Sequence, residues 1–242
     1  MSITWQQSIG LDPQHLCDFK DNIESQKTQP SIIHQQINSR IKDDLEKLFN
    51  QAKLDNLEIK IVSGYRSFEK QLTIWNDKWR GYRPVYSKQG RPLNIDRMSS
   101  IEKYKSIALW SALPGLSRHH WGTDLDVFSK QAVEQGYNIQ LIEEEFSKGG
   151  ICEALNQWLD ENLEKFGFFR PYKKYKGGVA VEPWHISHIK ESQSILENFD
   201  FQTFRQHLIK SDICEKEFIV EKLSHYKEYY FENISVSTSK KC

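Results

Sequence analysis

The sequence has no long apolar run and no surplus of either charge. Nowhere do about 18 apolar residues follow one another, the length that a membrane-spanning helix needs. The 33 lysines and arginines are matched by 33 aspartates and glutamates, so the formal net charge at pH 7 is +0. Nucleic-acid-binding domains typically carry a basic excess. The sequence therefore predicts neither a membrane span nor a nucleic-acid partner.

Cysteine is scarce and widely spaced. No two cysteines form a CxxC pair, so the sequence offers neither a thiolate zinc site nor a redox motif. A chain of 242 residues can bury a sizeable core without a disulfide. We expect four free thiols, at Cys17, Cys152, Cys214 and Cys242, with one disulfide as the alternative.

The first residues lack the basic segment and the apolar stretch of a signal peptide. The sequence as written therefore predicts a cytoplasmic location by default. A periplasmic or cell-envelope location is expected instead if a leader is missing from this sequence. No pattern in the sequence predicts an oligomeric state.

Apolar periodicity divides the chain into alternating elements. Helical spacing over 33–52 predicts a long amphipathic helix, and alternation over 57–61 predicts a half-buried strand. Residues 80–100, with two prolines, two glycines and four arginines, are typical of a long surface loop. Further helices are expected near 101–112 and 151–163 and in the tail, and further strands at 166–169 and 178–189.

No linker composition interrupts this pattern. We therefore predict one α+β domain over 1–242, with its sequence motifs in a core at about 30–190 and a helical C-terminal extension at about 191–242. Packing against the core is the simplest role for that extension. A lid or a docking surface is the alternative.

Potential metal ligands are concentrated at 117–128, where the sequence reads SRHHWGTDLDVF. His119 and Asp126 are seven residues apart, and a helix would separate them by about 10 Å. Zinc binds nitrogen and oxygen ligands at about 2.0–2.2 Å, so a straight helix cannot bring both to one ion. A strand-turn-strand path that turns at Gly122 can. The segment therefore favours extended backbone after the turn.

A third ligand is expected in VEPWHISH, residues 181–188. Glu182 and His185 would face opposite ways in a regular strand, but a bulge at Pro183 turns both towards one cavity. One of them would bind the metal and the other would act on a water molecule. Three protein ligands leave a fourth zinc position open, which is typical of catalytic sites. Five other histidines are expected at the surface or in hydrogen bonds, or facing away from the ligands: His34, His120, His188, His207 and His225.

The spacing SxHxxGxDxD followed by ExWH resembles the VanY-type zinc D-alanyl-D-alanine carboxypeptidases. Their wider group includes the lysostaphin-like peptidases and the hedgehog fold. The likeness extends to SGYRSxxxQ at 63–71 and covers about 57–190. It implies a small, mostly antiparallel sheet flanked by helices. Three separate motifs in the same order make a chance agreement very improbable.

This resemblance assigns roles by position. It implies that one zinc ion per chain is held by His119, Asp126 and His185. Glu182 would be the general base, and Arg66 would stabilise the developing oxyanion. Two further positions would bind the substrate or support residues that do: Ser117 and Gln71.

Asp124 departs from the family pattern, which has a small alanine at this position. In an extended segment it shares a face with Asp126. It could accept a hydrogen bond from a ligating histidine, narrow the pocket, or bind a cationic substrate group. The sequence leaves these three roles open.

The resemblance implies that the substrates are peptidoglycan stem peptides or muropeptides, and that the reaction releases the terminal D-alanine. An endopeptidase of the same fold is the first alternative, and a non-catalytic, zinc-containing cell-wall-binding module is the second. The presence of both Glu182 and Arg66 argues against the module. Four loop arginines could attract a substrate carboxylate, although solvation explains them equally well: Arg80, Arg83, Arg91 and Arg97.

Overall fold

The computed structural model describes residues 3–19 and 35–237 of the chain. Within these residues a four-stranded antiparallel sheet has the order β3-β4-β6-β5, and a separate hairpin pairs β1 with β2. The strands are β1 (Leu16–Phe19), β2 (Gln35–Asn38), β3 (Ile59–Ser63), β4 (Asp124–Ser129), β5 (Phe168–Phe169) and β6 (His185–His188).

Helices surround this sheet. They are α1 (Trp5–Ser8), α2 (Lys42–Leu54), α3 (Phe68–Arg80), α4 (Ser100–Ala108), α5 (Lys130–Glu134), α6 (Glu143–Phe146), α7 (Glu153–Asn162), α8 (Ile189–Glu197), α9 (Phe201–Lys210), α10 (Lys216–Glu221) and α11 (Leu223–Tyr226). A π-helical turn, Lys227–Phe231, continues α11. Short 3₁₀ turns lie at Ser39–Ile41, Ile95–Arg97, Arg118–Trp121 and Leu163–Phe166.

The sheet packs one face against α2 and α7. Leu125 of β4 and Ile186 of β6 join Leu45 and Leu159 in a fully buried apolar cluster. Residues of β4 alternate between this cluster and the opposite face because successive side chains of a strand point to opposite sides. The opposite face carries Asp124 and Asp126, followed along the strand by the apolar Phe128.

The described part of the predicted C-terminal extension, 191–237, packs into a second apolar cluster. Phe204 of α9 and Tyr226 of α11 are buried there against Trp75 of α3 and Tyr104 of α4. The tyrosine rings of 104 and 226 meet edge to face, with centroids 6.2 Å apart. This shared core supports the predicted single domain, with the extension as a packing element.

Three sequence predictions of local structure were wrong in their bounds. The helix expected over 33–52 begins only at Lys42, because Ile37 pairs with Cys17 in the hairpin; position 33 lies outside the described residues. The strand expected over 178–189 is confined to His185–His188. The strand expected over 166–169 is confined to Phe168–Phe169, because a 3₁₀ turn extends to Phe166. The loop expected over 80–100 is confirmed: it lies between the end of α3 and the start of α4 and contains one 3₁₀ turn.

Cys17, Cys152 and Cys214 are free thiols, as predicted, and position 242 lies outside the described residues. No helix within 3–19 and 35–237 is long and apolar enough to cross a membrane. Helices thus flank a small antiparallel sheet, and the predicted α+β class is confirmed.

Candidate metal centre

Two neighbouring strands place acidic and imidazole groups on the polar face of the sheet. Asp126 of β4 is directly opposite His185 of β6, and Asp124 is opposite Ser187. Opposed residues of an antiparallel pair share a face, and so do residues two apart along one strand. The strand register therefore brings two carboxylates and one imidazole together.

His119 reaches the same place from a 3₁₀ turn, Arg118–Trp121, which precedes β4. Gly122 ends that turn with a φ of +66°, and a Cβ there would lie 2.6 Å from the backbone nitrogen of Asn38. Only glycine satisfies both requirements. The predicted turn at Gly122 is thus present, although a 3₁₀ turn and not a strand comes before it.

Three potential ligand atoms face one another. One atom from each of His119, Asp126 and His185 lies within 4.8 Å of the other two, and all three residues are buried. His119 Nε2 is 3.4 Å from Asp126 Oδ2, and His185 Nδ1 is 3.3 Å from Asp126 Oδ1. Asp126 Oδ1 is buried, yet it accepts no hydrogen bond. A buried carboxylate oxygen without a donor is the group that a cation would satisfy.

The far side of each imidazole is already engaged. His119 Nδ1 donates to the carbonyl of Gly64 at 3.0 Å, and His185 Nε2 donates to Asp124 Oδ1 at 3.0 Å. Metal-binding histidines commonly use the second nitrogen in this way, and the contact fixes the tautomer and the ring orientation. His119 Nε2 and His185 Nδ1 are left as the two nitrogens that face the centre. The residues present therefore fit a divalent metal ion.

Asp124 is the centre of a buried polar network. Its carboxylate accepts from Arg118 Nε at 2.6 Å and from the hydroxyls of Thr123 and Ser187. Burial alone would raise the pKa of Asp124, but Arg118 and His185 outweigh it and hold that pKa well below its usual range. Of the three roles left open by the sequence, these contacts favour a hydrogen bond to a ligating histidine.

The charge around His185 follows from the same contacts. Burial works to lower the pKa of His185, yet its contacts with Asp124, Asp126 and Glu182 prevail and raise that pKa well above the ordinary value. These contacts favour the cationic form of the imidazole. A centre that draws a proton onto a buried imidazole has an excess of negative charge, which suits a cation.

Glu182 lies beside the three ligands without being one of the group. Its Oε2 is 3.4 Å from His185 Nδ1, and burial raises the pKa of its carboxyl. The bulge predicted at Pro183 is absent: residues 182–185 form a turn before β6, in which His185 N donates to the carbonyl of Glu182. This turn places both side chains in one cavity, as the bulge was expected to do.

Arg66 projects into the cavity from the segment between β3 and α3. Its two terminal nitrogens donate to Gln71 Oε1 at 2.9 Å and to Ser63 Oγ at 3.1 Å. Burial lowers the pKa of Arg66, and the charges of Asp126 and Glu182 oppose that effect. Hydrogen bonds that Arg66 donates to neutral partners thus orient a cationic group that faces acidic ones.

The cavity that contains these groups has a volume of about 310 Å³. Ser117 is buried in its lining, where it could contact a substrate. Gln71 is fully buried outside the lining, and its Nε2 donates to the carbonyl of Ala112. This placement favours a role for Gln71 in holding Arg66 over the predicted substrate contact.

Sequence reasoning missed several residues of the lining. Lys78 and Ser111 contribute polar groups, Tyr172 packs edge to face on His185 with ring centroids 4.9 Å apart, and Trp110 stacks on Trp184. A signal for Lys78 was present, because it follows Gln71 by two helical turns and so shares its face.

Of the four loop arginines, Arg83 alone lines this cavity. We call Arg66, Lys78 and Arg83 the basic wall.

The other described histidines lie in hydrogen bonds or ring contacts away from the ligand atoms. His120 donates from Nδ1 to the carbonyl of Arg66 and accepts at Nε2 from Gly115 N, so both ring nitrogens are used. Burial lowers its pKa to about 3. His188 caps α8, whereas His207 and His225 pack against aromatic rings. Position 34 lies outside the described residues.

Two imidazoles, a carboxylate ligand, an adjacent buried acid and a facing arginine are the equipment of a hydrolytic metallopeptidase. The family model for VanY, D-alanyl-D-alanine carboxypeptidase, matches residues 34–191. The chain belongs to this family. The predicted family and enzyme class are therefore confirmed.

Individual relatives agree with this placement. An uncharacterized protein of Haemophilus influenzae is 32% identical over 120 residues, covering 49% of this chain and 89% of that protein. A D-alanyl-D-alanine carboxypeptidase of Enterococcus faecalis is 28% identical over 158 residues, covering 64% of this chain but only 49% of its own length. The solved structure of the LD-carboxypeptidase LdcB aligns with a TM-score of 0.51 and 21% identity, over 81% of this chain and 78% of that one, and supports the fold.

Proposed function

We propose that this chain is a zinc-dependent carboxypeptidase that removes the terminal D-alanine from peptidoglycan stem peptides. The observation that carries the proposal is the meeting of the His119, Asp126 and His185 ligand atoms within 4.8 Å, in the cavity that also contains Glu182 and Arg66. Membership of the VanY family supports D-alanyl-D-alanine as the substrate class.

The metal would be held by His119 Nε2, an oxygen of Asp126 and His185 Nδ1. Two nitrogens and one carboxylate oxygen form a donor set common in catalytic zinc sites. Bound zinc supplies Lewis-acid chemistry for hydrolysis of an amide bond. Asp124 and the Gly64 carbonyl hold the two imidazoles in the orientation that this binding needs.

Glu182 is the group placed to move protons. Hydrolysis adds water to the carbonyl carbon, breaks the carbon–nitrogen bond and delivers a proton to the leaving amine. Glu182 would take the proton from the attacking water and return it to that nitrogen. Burial raises the pKa of its carboxyl, which makes the carboxylate a better proton acceptor near neutral pH.

Arg66 is the group placed to stabilise negative charge on the carbonyl oxygen. It lines the same cavity as Glu182, and Gln71 and Ser63 fix its guanidinium before a substrate arrives. A donor held in advance stabilises developing charge without reorganisation. Ser117 would contact the bound peptide.

Mass spectrometry of stem peptides incubated with the purified protein tests this function. We expect the loss of one terminal D-alanine, inhibition by a chelator, and recovery when zinc is restored. Loss of a dipeptide or a cut inside the stem would instead indicate a dipeptidase or an endopeptidase. An unchanged peptide, with one zinc bound per chain, would contradict the proposed activity.

A further inference from the structure

Lys78 brings an ammonium group to the cavity without a carboxylate partner. Its Nζ donates to the hydroxyl of Ser111 at 2.6 Å, and no ion pair within residues 3–19 and 35–237 includes it. The neighbouring Arg83, by contrast, is paired with Asp77 at 3.1 Å. Arg66 forms no ion pair within these residues either, but Gln71 and Ser63 already orient its guanidinium towards the acidic groups. Lys78 is thus the member of the basic wall that has neither a charged partner nor a role in the proposed chemistry.

The surroundings of Lys78 oppose its charge. Burial lowers its pKa to about 8, the positive charges of Arg66 and Arg83 act in the same direction, and only Glu182 opposes them. A partly buried ammonium among other cations lowers the stability of the folded chain. An anion bound beside Lys78 would relieve that cost, so the wall favours an anionic ligand.

The size of the cavity restricts where that anion can be. About 310 Å³ is near the lower end of the usual range for ligand sites. Lys78 and Glu182 line this one small space, and each extended peptide residue spans at most about 3.6 Å. A carboxylate at Lys78 therefore lies within one or two peptide residues of the bond that Glu182 would help to cleave.

We propose that Lys78, seated by Ser111, binds the terminal carboxylate of the peptide substrate and so makes this site an exopeptidase site. The inference rests on the proposed function and adds to it the group that recognises the chain end. An acidic side chain inside the peptide offers the same chemistry. The small volume of the cavity favours the terminal group, because it leaves room for few residues beyond the cleaved bond.

Steady-state kinetics on two matched peptides test this assignment. Both end in D-alanyl-D-alanine, one as the free acid and the other as the carboxamide. In Lys78→Met the ratio of kcat/KM for the acid to that for the amide should fall about tenfold to hundredfold, as expected for a hydrogen bond to a charged group. The change should lie mainly in KM. Lys78→Arg should restore most of the ratio, and Lys70→Met, exposed on the same helix, should keep the wild-type ratio.

Equilibrium binding separates this inference from the activity itself. In zinc-loaded Glu182→Gln, calorimetry should show that the acid binds more tightly than the amide, and adding Lys78→Met should abolish the difference. A carboxamide peptide with an acidic side chain is the comparison. If Lys78→Met weakened its binding as much as it weakens binding of the acid peptide, the assignment to the terminal carboxylate would be overturned. A preference for the acid that survives in Lys78→Met would overturn it as well. An inactive wild-type enzyme that still shows Lys78-dependent binding would contradict only the catalytic proposal.

Discussion

The metal centre and the basic wall are two sides of one cavity, and their polar groups are satisfied to different degrees. At the metal centre, the Gly64 carbonyl engages the far nitrogen of His119, and Asp124 engages that of His185. At the wall, Lys78 has one hydroxyl partner among the residues that the structure describes. The centre is thus organised by the protein itself, whereas the wall keeps bonding capacity for a ligand.

The two sides also differ in how the fold supports them. The metal centre lies on paired strands and a glycine-dependent turn, so backbone hydrogen bonds fix the spacing of its ligands. Lys78 reaches the cavity from helix α3 on a long side chain that can adjust. Rigid placement suits a metal, which requires defined distances, and an adjustable cation suits the end of a peptide.

The largest expected effect comes from removing the proton carrier at the metal centre. Glu182→Gln keeps the size of the side chain but cannot accept a proton, so kcat should fall about 10²- to 10⁴-fold. Zinc content, measured by mass spectrometry, should stay at the wild-type value because Glu182 is outside the ligand group. Glu143→Gln, at an exposed position of α6, is the control. Normal turnover would exclude Glu182 as the base, and loss of zinc would make it a ligand.

The next effect addresses the cation that faces the metal centre. Arg66→Lys keeps one positive charge but removes the planar group that Gln71 and Ser63 orient. We expect kcat to fall about 10²- to 10³-fold, the usual cost of losing an oxyanion donor. Arg97→Lys in the exposed loop should change neither kinetic constant. A change confined to KM would instead place Arg66 in ground-state binding.

Much of the metal centre could be predicted from the sequence because its ligands have local signatures. The period-two pattern of β4 placed Asp124 and Asp126 on one face, and Gly122 marked the turn beside His119. These signals come from neighbouring residues, so a single chain displays them. The local pattern left the third ligand open between Glu182 and His185, and the resemblance to the VanY motifs then implied His185.

The basic wall could be predicted only in part, because the helical spacing places Lys78 on the same face as Gln71 but does not show what packs against it. Lys78 looks like a solvated helix residue until α4 and the following segment close over it and place Ser111 against its ammonium. The start of α2 was missed for a related reason: Ile37 fits a helical period, but pairing with β1 takes it into a hairpin. Long-range contacts decide both cases, and local patterns do not contain them.

An intermediate effect tests how Asp124 supports the metal centre. Asp124→Asn weakens the hydrogen bond that holds His185, so zinc affinity should fall about 10- to 100-fold. Competition with a chromophoric chelator measures that affinity. The same change leaves Arg118 without its charged partner, so the thermal midpoint must be recorded as well. Thr123→Val removes a different hydrogen bond to Asp124 and should keep the affinity near the wild-type value. Equal losses in both variants would assign the effect to the whole network.

The smallest effect is a pH dependence specific to the basic wall. Burial and the positive charges of Arg66 and Arg83 lower the pKa of Lys78 to about 8, and the charge of Glu182 works against this lowering. The fraction of Lys78 that is charged therefore falls about tenfold between pH 7 and pH 9. An ammonium is charged below its pKa, so KM for the acid peptide should rise as the pH passes 8, by up to about tenfold. The ratio of KM for the acid to KM for the carboxamide isolates this step, because pH effects at the metal centre act on both peptides. In Lys78→Arg the ratio should stay flat, since a guanidinium keeps its charge throughout this range. A rise that persists in Lys78→Arg would place the titrating group outside the wall and remove the contrast between the two sides of the cavity.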